Sequence, residues 1–520
     1  MNAGTITASA DGKPLHKGLI TVSIMLATIM QALDTTIANV ALPHMQGTLS
    51  ATSDQISWVL TSYIVAAAIM IPPTGIFAAR FGRKKIFVWS VAGFTVASML
   101  CGVAQTLPEM ILFRLLQGVF GACLVPLSQS VLLDINPKEK HGSAMAVWGM
   151  GVMLGPILGP TLGGWLTEYY NWRWVFFINV PIGIVAFLGM SAFMPETTLD
   201  NSRKFDWFGF ACLSIAIGAM QLTLDRGETQ DWFSSGEIII EALVAGLALY
   251  LFLAHLLTAL KHPFLDPAMF RDRNYSFCLV FIFIIGIILL ATMALLPPYL
   301  QGLMGYPVIT TGFVLAPRGV GTMVAMMLVG RLTGKVDARA LILFGLGVTA
   351  YTLWETSQFN LEIPVSLIVK IGTLQGFGMG FVFVPLSALA YATLEPRYRN
   401  DATAIFSLMR NIGSSIGIAV MIALATRNGQ INHAELGAHV SAFDPVVGLA
   451  FQGLQMATGT DDTGAAAIIN NEVNRQAMAI SYLDDFYLMM FVVLASMPLV
   501  LLMKTPKRMK ADPDHPAVME

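Results

Sequence analysis

Long apolar segments alternate with short polar ones along almost the entire chain. Each apolar segment has about 18 to 25 residues, which is the length that a helix needs to cross the hydrocarbon core of a membrane. On this pattern we predict fourteen membrane spans, at residues 18–41, 56–77, 86–105, 108–132, 143–166, 174–194, 206–224, 237–258, 275–298, 311–330, 340–357, 365–391, 402–425 and 482–503. The pattern therefore predicts an all-α integral membrane protein with fourteen transmembrane helices.

The composition agrees with a membrane protein and excludes several other classes. The 520 residues are 55% hydrophobic and only 12% charged, with a mean hydropathy of +0.68, whereas soluble domains carry about 25% charged residues. A net charge of −2 without a Lys/Arg-rich run indicates no nucleic-acid partner. Cys101, Cys123, Cys212 and Cys278 lie in separate apolar segments without metal-ligand spacing, so we interpret them as buried apolar side chains and expect no metal site.

Positive charge collects in the polar connections on one side of the predicted membrane. Of the 30 Lys and Arg residues, 22 lie in one set of alternate connections, four lie in the other, and four lie within spans. Cytoplasmic loops collect Lys and Arg, so both termini are predicted to be cytoplasmic. The N-terminal segment lacks a small-residue cleavage site, so the first span is expected to remain as a membrane helix.

Two motifs occur twice along the chain. GIFAARFGRKK from Gly75 resembles GRLTGKVDARA from Gly330, and QGVFGACLVPLS from Gln117 resembles QGFGMGFVFVPLS from Gln375. The separations of 255 and 258 residues nearly agree, which predicts two six-helix halves separated by two inserted helices, an arrangement used by transporters. The predicted division is an N-terminal half at 1–200, the inserted pair at 201–262, a C-terminal half at 263–510 and a cytoplasmic tail at 511–520.

Asp34 is the only formal charge in the 23-residue apolar segment 18–40. A charge at the centre of a membrane helix costs about 2.5–3.5 kcal/mol on insertion scales, so this residue needs a function or a partner. A carboxyl group that faces a cavity can alternate between its protonated and deprotonated forms, so we interpret Asp34 as a proton carrier. A permanently ion-paired structural aspartate is the alternative.

Four basic residues also fall within predicted spans: Arg114, Arg318, Lys370 and Arg410. Arg114 shares one helix face with Gln117, which lies three positions later, and its guanidinium keeps its charge at working pH. It can therefore serve only as a fixed positive charge. A structural ion pair or a clamp on backbone carbonyl groups is the alternative to a functional role. Arg318 and Arg410 are candidates for cavity-lining or structural roles, and Lys370 is expected to reach the membrane surface.

Several segments resemble one transporter family. LDTTIANVALP at 33–43, GVMLGPILGPTLGG at 151–164 and WRWVFFINVPIG at 172–183 are similar to signatures of the major facilitator superfamily, in its fourteen-span drug:proton antiporter branch. LDRGETQDWFSS at 224–235 and the polar segment 426–481 resemble the inner-membrane subunits of tripartite multidrug pumps. The resemblance implies a major facilitator fold and a multi-pass location in the bacterial inner membrane.

The resemblance also implies roles for individual residues. Asp34 and Arg114 are expected to couple transport to protons, with the proton gradient as the energy source and no cofactor. The cavity and substrate candidates are Gln31, Thr35, Gln117 and Arg410. The conformational motif of predicted span five, which is either a hinge or a tight contact, comprises Gly151, Gly155, Pro156, Gly159, Pro160, Gly163 and Gly164. The cytoplasmic loop motif comprises Gly75, Arg80, Gly82, Arg83 and Lys84. Ala79 stands where the family has an acidic residue, which argues against the usual charge-relay latch in this loop.

The function implied by these features is a proton-coupled secondary antiporter that exports amphipathic or hydrophobic drugs. No GxxxxGK[ST] phosphate-binding loop occurs, which argues against ATP-driven transport. Two alternatives remain open: an exporter dedicated to one metabolite, fatty acid or antibiotic, and a non-transporting membrane receptor or scaffold. An enzyme is not expected, because no cluster of His, carboxylate or Cys residues gathers at one membrane depth.

The longest polar connection, at residues 426–481, lies on the predicted periplasmic side. Ile469, Val473, Ala477 and Ile480 recur there at helical spacing, which predicts a short amphipathic helix. This helix either packs on the protein's own rim or docks a partner. The resemblance implies small amphipathic substrates and protons as ligands, and a periplasmic membrane-fusion adaptor with an outer-membrane channel as protein partners.

Overall fold

The computed structural model describes residues 16–196, 199, 205–258, 264–333, 335–441 and 444–504. Within these ranges the chain forms α-helices and no strand, apart from one isolated bridge between Thr333 and Val336. The helices are α1 (Lys17–Thr48), α2 (Ser53–Met70), α3 (Thr74–Phe81), α4 (Arg83–Val103), α5 (Leu107–Gly121), α6 (Leu124–Ile135), α7 (His141–Tyr169), α8 (Trp174–Phe177), α9 (Asn179–Phe193), α10 (Trp207–Arg226), α11 (Gly236–Thr258), α12 (Arg273–Pro298), α13 (Val308–Leu332), α14 (Ala338–Ser357), α15 (Val365–Ala392), α16 (Arg399–Ala438), α17 (Pro445–Thr458) and α18 (Asp462–Val500). The predicted boundaries at 201 and 262 and the tail at 511–520 lie outside the described residues.

The predicted membrane spans correspond to helices, but their number is only partly supported. Across the described ranges, twelve helices are long and apolar enough to cross a membrane, and the bent pair of α2 and α3 brings the number to 13. α14 occupies the predicted eleventh span but is not among these candidates. The all-helical membrane architecture is therefore confirmed, whereas the count of fourteen and the orientation of the termini stay predictions.

The predicted second span, at 56–77, is broken instead of continuous. α2 ends at Met70 and α3 begins at Thr74, and the two helices meet at an angle of 57°. Pro72 and Pro73 lie between them, and a proline lacks the N–H group that would continue the helical hydrogen bonds. The predicted span is present as a bent pair of helices, because hydropathy measures apolarity, whereas the two prolines determine where each helix ends.

The helices pack as two groups, and the inserted pair touches both of them. α7 lies against α1 of its own half and against α13 of the other half. α12 to α16 and α18 pack together as the second half. Of the inserted pair, α10 packs against α11, against α2 and against α16, so it contacts one helix from each half.

The predicted loop at 426–481 is largely helical. α16 continues to Ala438, α17 follows, and the 39 residues of α18 begin at Asp462. Helix caps define these elements, because Asp444 and Asp461 accept hydrogen bonds from the first-turn N–H groups of the next helices. The short amphipathic helix predicted around Val473 is the first part of α18. The predicted helix is present but is not short, because it continues into the predicted fourteenth span. A change from polar to apolar composition does not mark the end of a helix.

Candidate functional site

Asp34 lies at the centre of a buried hydrogen-bond network in the N-terminal half. Its side chain on α1 is completely buried. Its Oδ2 accepts a hydrogen bond from Nη1 of Arg114 at 2.6 Å. Its Oδ1 accepts hydrogen bonds from Nε2 of Gln117 at 2.8 Å and from Nδ2 of Asn179 at 2.9 Å. Side chains from α5 and α9 therefore converge on one carboxylate of α1.

Arg114 is held from several sides. Its Nε donates to the carbonyl oxygen of Val59 at 3.1 Å, and its Nη1 also donates to Oε1 of Gln117 at 2.8 Å. The guanidinium carbon lies 4.4 Å from the centre of the Tyr63 ring and 5.7 Å from that of Phe176, and both rings can stabilise a cation through their faces. Nη2 is buried without a hydrogen-bond partner among the described residues, so the guanidinium retains an unused donor.

Asn179 is a site residue that the sequence pattern did not single out. Its Nδ2 donates both to Asp34 and to Oγ of Ser98, the latter at 3.0 Å, while Ser98 donates to the carbonyl oxygen of Phe176 at 2.9 Å. Asn179 belongs to the segment 172–183 that carries one of the family signatures. An amide inside an otherwise apolar span was the available signal, because a buried polar group needs a partner.

The buried pair can exist in two charge states. With Asp34 deprotonated, the carboxylate and the Arg114 guanidinium neutralise each other. A proton on Asp34 leaves Arg114 as a single buried positive charge, because the guanidinium does not release its own proton. Leaving one member of such a pair without its partner costs about 3–5 kcal/mol, so the two charge states of this site differ in free energy.

The four cavity candidates do not share one environment. Gln117 is completely buried in the Asp34 network, so in this structure it does not line an open cavity, and neither does Asp34. Gln31 is half-buried and donates to the Tyr63 hydroxyl at 3.1 Å. Thr35 is half-buried and donates to the Ala32 carbonyl within its own helix at 2.9 Å. Arg410 is half-buried on α16 in the other half.

The glycine motif of α7 forms the surface that faces α1. A Cβ atom on Gly155 would overlap the backbone and side chain of Ala32, and one on Gly159 would overlap the side chain of Thr36. Thr36 also donates to the Gly155 carbonyl at 3.0 Å. The four glycines spaced four residues apart that contact α1 are Gly151, Gly155, Gly159 and Gly163. Gly164 is buried, but a Cβ atom placed on it would have no neighbour within 4 Å, so it does not contribute to this contact. Pro156 and Pro160 lie inside the continuous helix.

The two halves meet at the end of the bundle that carries the basic loop. Arg83 and Arg399, one from each half, both form ion pairs with Asp134 at the end of α6. Ser130 donates to Oδ1 of Asn400 at 2.6 Å. These contacts close the basic end of the bundle. Ala79 stands where the family has an acidic residue, and in this structure Asp134 supplies the acidic group that pairs with the basic residues. The sequence pattern did not identify Asp134.

The other residues of the loop motif have separate environments. Gly82 has a φ of +91°, a conformation that strongly favours glycine. Lys84 lies 3.9 Å from Glu196, and Arg80 is exposed, with its guanidinium carbon 5.9 Å from the Phe81 ring centre. A Cβ atom on Gly75 would overlap the Asp401 side chain of the other half, so this glycine permits close contact between the halves.

The C-terminal half contains buried polar groups without an equivalent ion pair. Arg318 is buried on α13, and its Nη2 lacks a partner among the described residues, as does Nε2 of buried Gln375 on α15. Lys370 is exposed on the same helix. Asp485 on α18 is 1% exposed, and its Oδ2 also lacks a partner. The sequence pattern did not single out Asp485.

Comparison with known proteins gives the family. Residues 24–427 match the family model of the Major Facilitator Superfamily. The multidrug export protein EmrB of Escherichia coli (strain K12) is 35% identical over 499 residues, which is 95% of this chain and 97% of that protein. The fatty acid resistance protein FarB of Neisseria gonorrhoeae is 33% identical over 488 residues, with 94% and 96% coverage.

A solved structure supports the same fold. The human organic anion transporter MFSD10 (TETRAN) aligns with a TM-score of 0.57 over 92% of this chain and 99% of that chain, at 13% sequence identity. At that identity the likeness concerns the fold alone. With the family model and near full-length relatives, the chain belongs to the major facilitator superfamily and is a multi-pass membrane transporter, not an enzyme.

Proposed function

We propose that this protein is a proton-coupled antiporter that exports amphipathic or hydrophobic drugs across the bacterial inner membrane. Drug export is suggested by the relatives, several of which are named as multidrug export or resistance proteins. Proton coupling is supported by one observation above all: Asp34 is completely buried and joined to a permanently charged Arg114. A carboxylate in that position changes the local charge when it binds a proton.

In the proposed mechanism, binding of a proton to Asp34 changes the position of α1. Protonation of Asp34 removes the charge that attracts Arg114 and weakens the bonds from Gln117 and Asn179, since a protonated carboxyl group is a poorer acceptor. α1 carries Asp34 and also packs against the glycine surface of α7. Protonation of Asp34 therefore weakens the contacts of α1 with α5 and α9. On its other side, α1 can shift slightly along the glycine surface of α7.

Alternating access requires that the two ends of the bundle open in turn. The ion pairs of Asp134 with Arg83 and Arg399 hold the basic end closed in this structure. Opening of that end requires Arg399 to separate from Asp134, because the two residues belong to different halves. The substrate then occupies the space between the halves, near Gln31 and Thr35 on one side and Arg410 on the other.

The outer helical segment supports a proposed adaptor. The end of α16, α17 and the beginning of α18 enclose an open groove of about 620 Å³ lined in part by Val440, Phe451 and Ile469. α17 has no buried residue and exposes large apolar side chains, among them Leu449 and Met456. Exposed apolar surface of this kind is typical of interaction sites. The proposed partner is a periplasmic membrane-fusion adaptor that leads to an outer-membrane channel.

A dedicated exporter is the second candidate. The similarity to FarB, a fatty acid resistance protein, favours a fatty acid as the single substrate. Arg410, a part-exposed cation on α16, could meet the carboxylate of such a substrate. A non-transporting receptor or scaffold is less well supported, because it leaves the buried pair of Asp34 and Arg114 without a purpose.

The function can be tested with inverted membrane vesicles that contain the protein. We expect uptake of a fluorescent amphipathic dye when a proton gradient is present, and loss of that uptake when an uncoupler collapses the gradient. Competition by fatty acids but not by unrelated drugs would favour the dedicated exporter. Uptake that persists without a gradient would contradict proton coupling.

A further inference from the structure

Asp485 is a buried carboxyl group that the proposed mechanism does not use. It lies on α18, 1% exposed, in the predicted fourteenth span. Its Oδ2 has no hydrogen-bond partner, and the side chain forms no ion pair within the described part of the chain. A charged carboxylate without partners is expensive in a membrane interior, so this position needs an explanation.

The contacts of two neighbouring residues on α18 indicate which way the Asp485 side chain faces. Ser481 and Met489, four residues before and after it, lie on the same helix face. Ser481 accepts a hydrogen bond from Asn432 of α16 at 3.1 Å, and Met489 lies 3.9 Å from Oγ1 of Thr292 on α12. The carboxyl group therefore faces the interior of the C-terminal half, between α12 and α16.

Among the residues that the structure describes, no cation lies within ion-pair distance of Asp485. On its own helix, the nearest ionisable groups are Asp484, which is exposed and adds like charge, and Tyr482. From α12, the following turn presents Tyr299, which touches the Tyr482 ring at 6.2 Å between ring centres. On the two other helices that pack against α18, Glu355 of α14 accepts a hydrogen bond from the Tyr351 hydroxyl, and Arg427 of α16 is exposed.

Asp34 and Asp485 are both buried carboxyl groups, but their hydrogen-bond partners differ. Asp34 accepts hydrogen bonds from three donors, including a guanidinium, so a charge on its carboxylate has partners. Asp485 is buried, and its Oδ2 has no donor among the described residues, so a charge on this carboxyl group would have no partner there. We propose that Asp485 is a second proton-binding site of the transport cycle, located in the C-terminal half. This inference rests on the proposed function as a proton-coupled antiporter.

A second proton changes the charge balance of transport. Exchange of one proton for one monovalent cation moves no net charge, whereas exchange of two protons moves one charge. With both Asp34 and Asp485 active, export of a monocationic drug is therefore driven by the membrane potential as well as by the pH gradient. With Asp34 alone, only the pH gradient drives it.

The binding of a proton can be tested without any transport. Infrared difference spectra of the purified protein in lipid report the carbonyl band of protonated carboxyl groups. We expect a component of this band at neutral pH that is lost in Asp485→Asn and retained in Asp484→Asn, the exposed neighbour that serves as a matched control. A protonated-carboxyl region that is unchanged in Asp485→Asn at every pH would overturn the proposal, whether or not the protein pumps drugs.

The role in transport can be tested in proteoliposomes with a permanently monocationic dye. We expect the wild-type protein and Asp484→Asn to respond to an imposed membrane potential, and Asp485→Asn to respond only to a pH gradient. Asp485→Glu, which restores a carboxyl group, should restore the response to potential and so exclude misfolding. The proposal of a second proton would be refuted if wild-type transport did not respond to the membrane potential. It would also be refuted if Asp485→Asn kept the full response to the potential. Absence of any gradient-driven transport would instead refute the proposed function, and the infrared result would still stand.

Discussion

Arg114 and Asp34 form an ion pair at 2.6 Å in which neither side chain is more than 1% exposed. The pair connects α5 to α1, and α1 packs along the glycine surface of α7. α7 in turn contacts α13 of the other half. The charge state of Asp34 thus affects the contacts of α1, and α1 packs against α7, the helix that touches the other half.

Replacement of Asp34 by Asn should reduce gradient-driven efflux to the background level. The amide keeps the shape of the side chain but cannot take up and release a proton at working pH. Vesicle dye transport measures the loss, and protein content in the membrane checks insertion. Glu168→Gln, which removes an exposed carboxylate on α7, is the control and should transport normally. Normal gradient-driven transport by Asp34→Asn would show that Asp34 is structural.

The double variant Asp34→Asn with Arg114→Gln separates stability from coupling. The single Asp34→Asn variant leaves a buried guanidinium unpaired, which costs about 3–5 kcal/mol. Removal of both charges should recover most of that stability, because replacing a whole buried pair is often nearly neutral. Thermal unfolding in detergent should therefore show recovery, while vesicle transport remains absent. Recovery of transport together with stability would assign the pair a purely structural role.

Asn179 should set the pH range of transport. Asn179→Leu removes one donor to the Asp34 carboxylate, and a hydrogen bond to a charged group contributes about 1.5–3 kcal/mol. The charged form of Asp34 loses more by this change than the proton-bound form does, so the profile of efflux against pH should move upward. Ser98→Ala, which leaves the donor to Asp34 in place, should produce a smaller shift. A downward shift, or none, would contradict this role.

The sequence predicted the helices better than their ends and contacts. Apolar length reveals membrane helices because bilayer thickness fixes it, and the predicted spans accordingly lie on helices, with a break at Pro72 and Pro73. Asp34 and Arg114 were identified separately from their cost in a membrane. Their direct contact could not be predicted, since it depends on how α1 and α5 pack. Asn179 and Asp485 were missed because one amide, or one carboxylate near a span end, is not distinctive by composition.

The glycine surface of α7 offers a prediction with an internal control. Gly155→Leu should reduce transport strongly, because the added side chain would meet the backbone of Ala32 and separate α1 from α7. Gly164→Leu adds the same side chain to the same helix at a position with nothing within 4 Å, and should leave transport nearly unchanged. Drug binding and transport are measured for both variants. Equal loss in the two variants would mean that leucine disturbs α7 itself and that the contact with α1 is not decisive.

The outer helices provide the test of a partner. Within the segment 426–481, α16 and α18 contact each other through His433 and Asn470, whose hydrogen bond is 2.9 Å long. α17 adds an exposed apolar surface to this pair. Replacement of residues 445–458 by a short glycine-serine linker removes that surface and keeps the contact between α16 and α18. Proton-driven transport in vesicles should persist, because it requires only the membrane helices.

Drug resistance of whole cells should be lost in the same variant. With the proposed adaptor, resistance requires that the drug passes beyond the outer membrane, and the variant lacks the surface that docks the adaptor. The variant is compared with the full chain in a strain that carries the adaptor, by growth inhibition with one amphipathic drug. Leu449→Asp with Met456→Asp, which keeps α17 but removes its apolar character, should give the same loss of resistance. Full resistance in both variants would eliminate α17 as a docking surface. Loss of vesicle transport would instead identify the outer helices as a structural cap on the transporter.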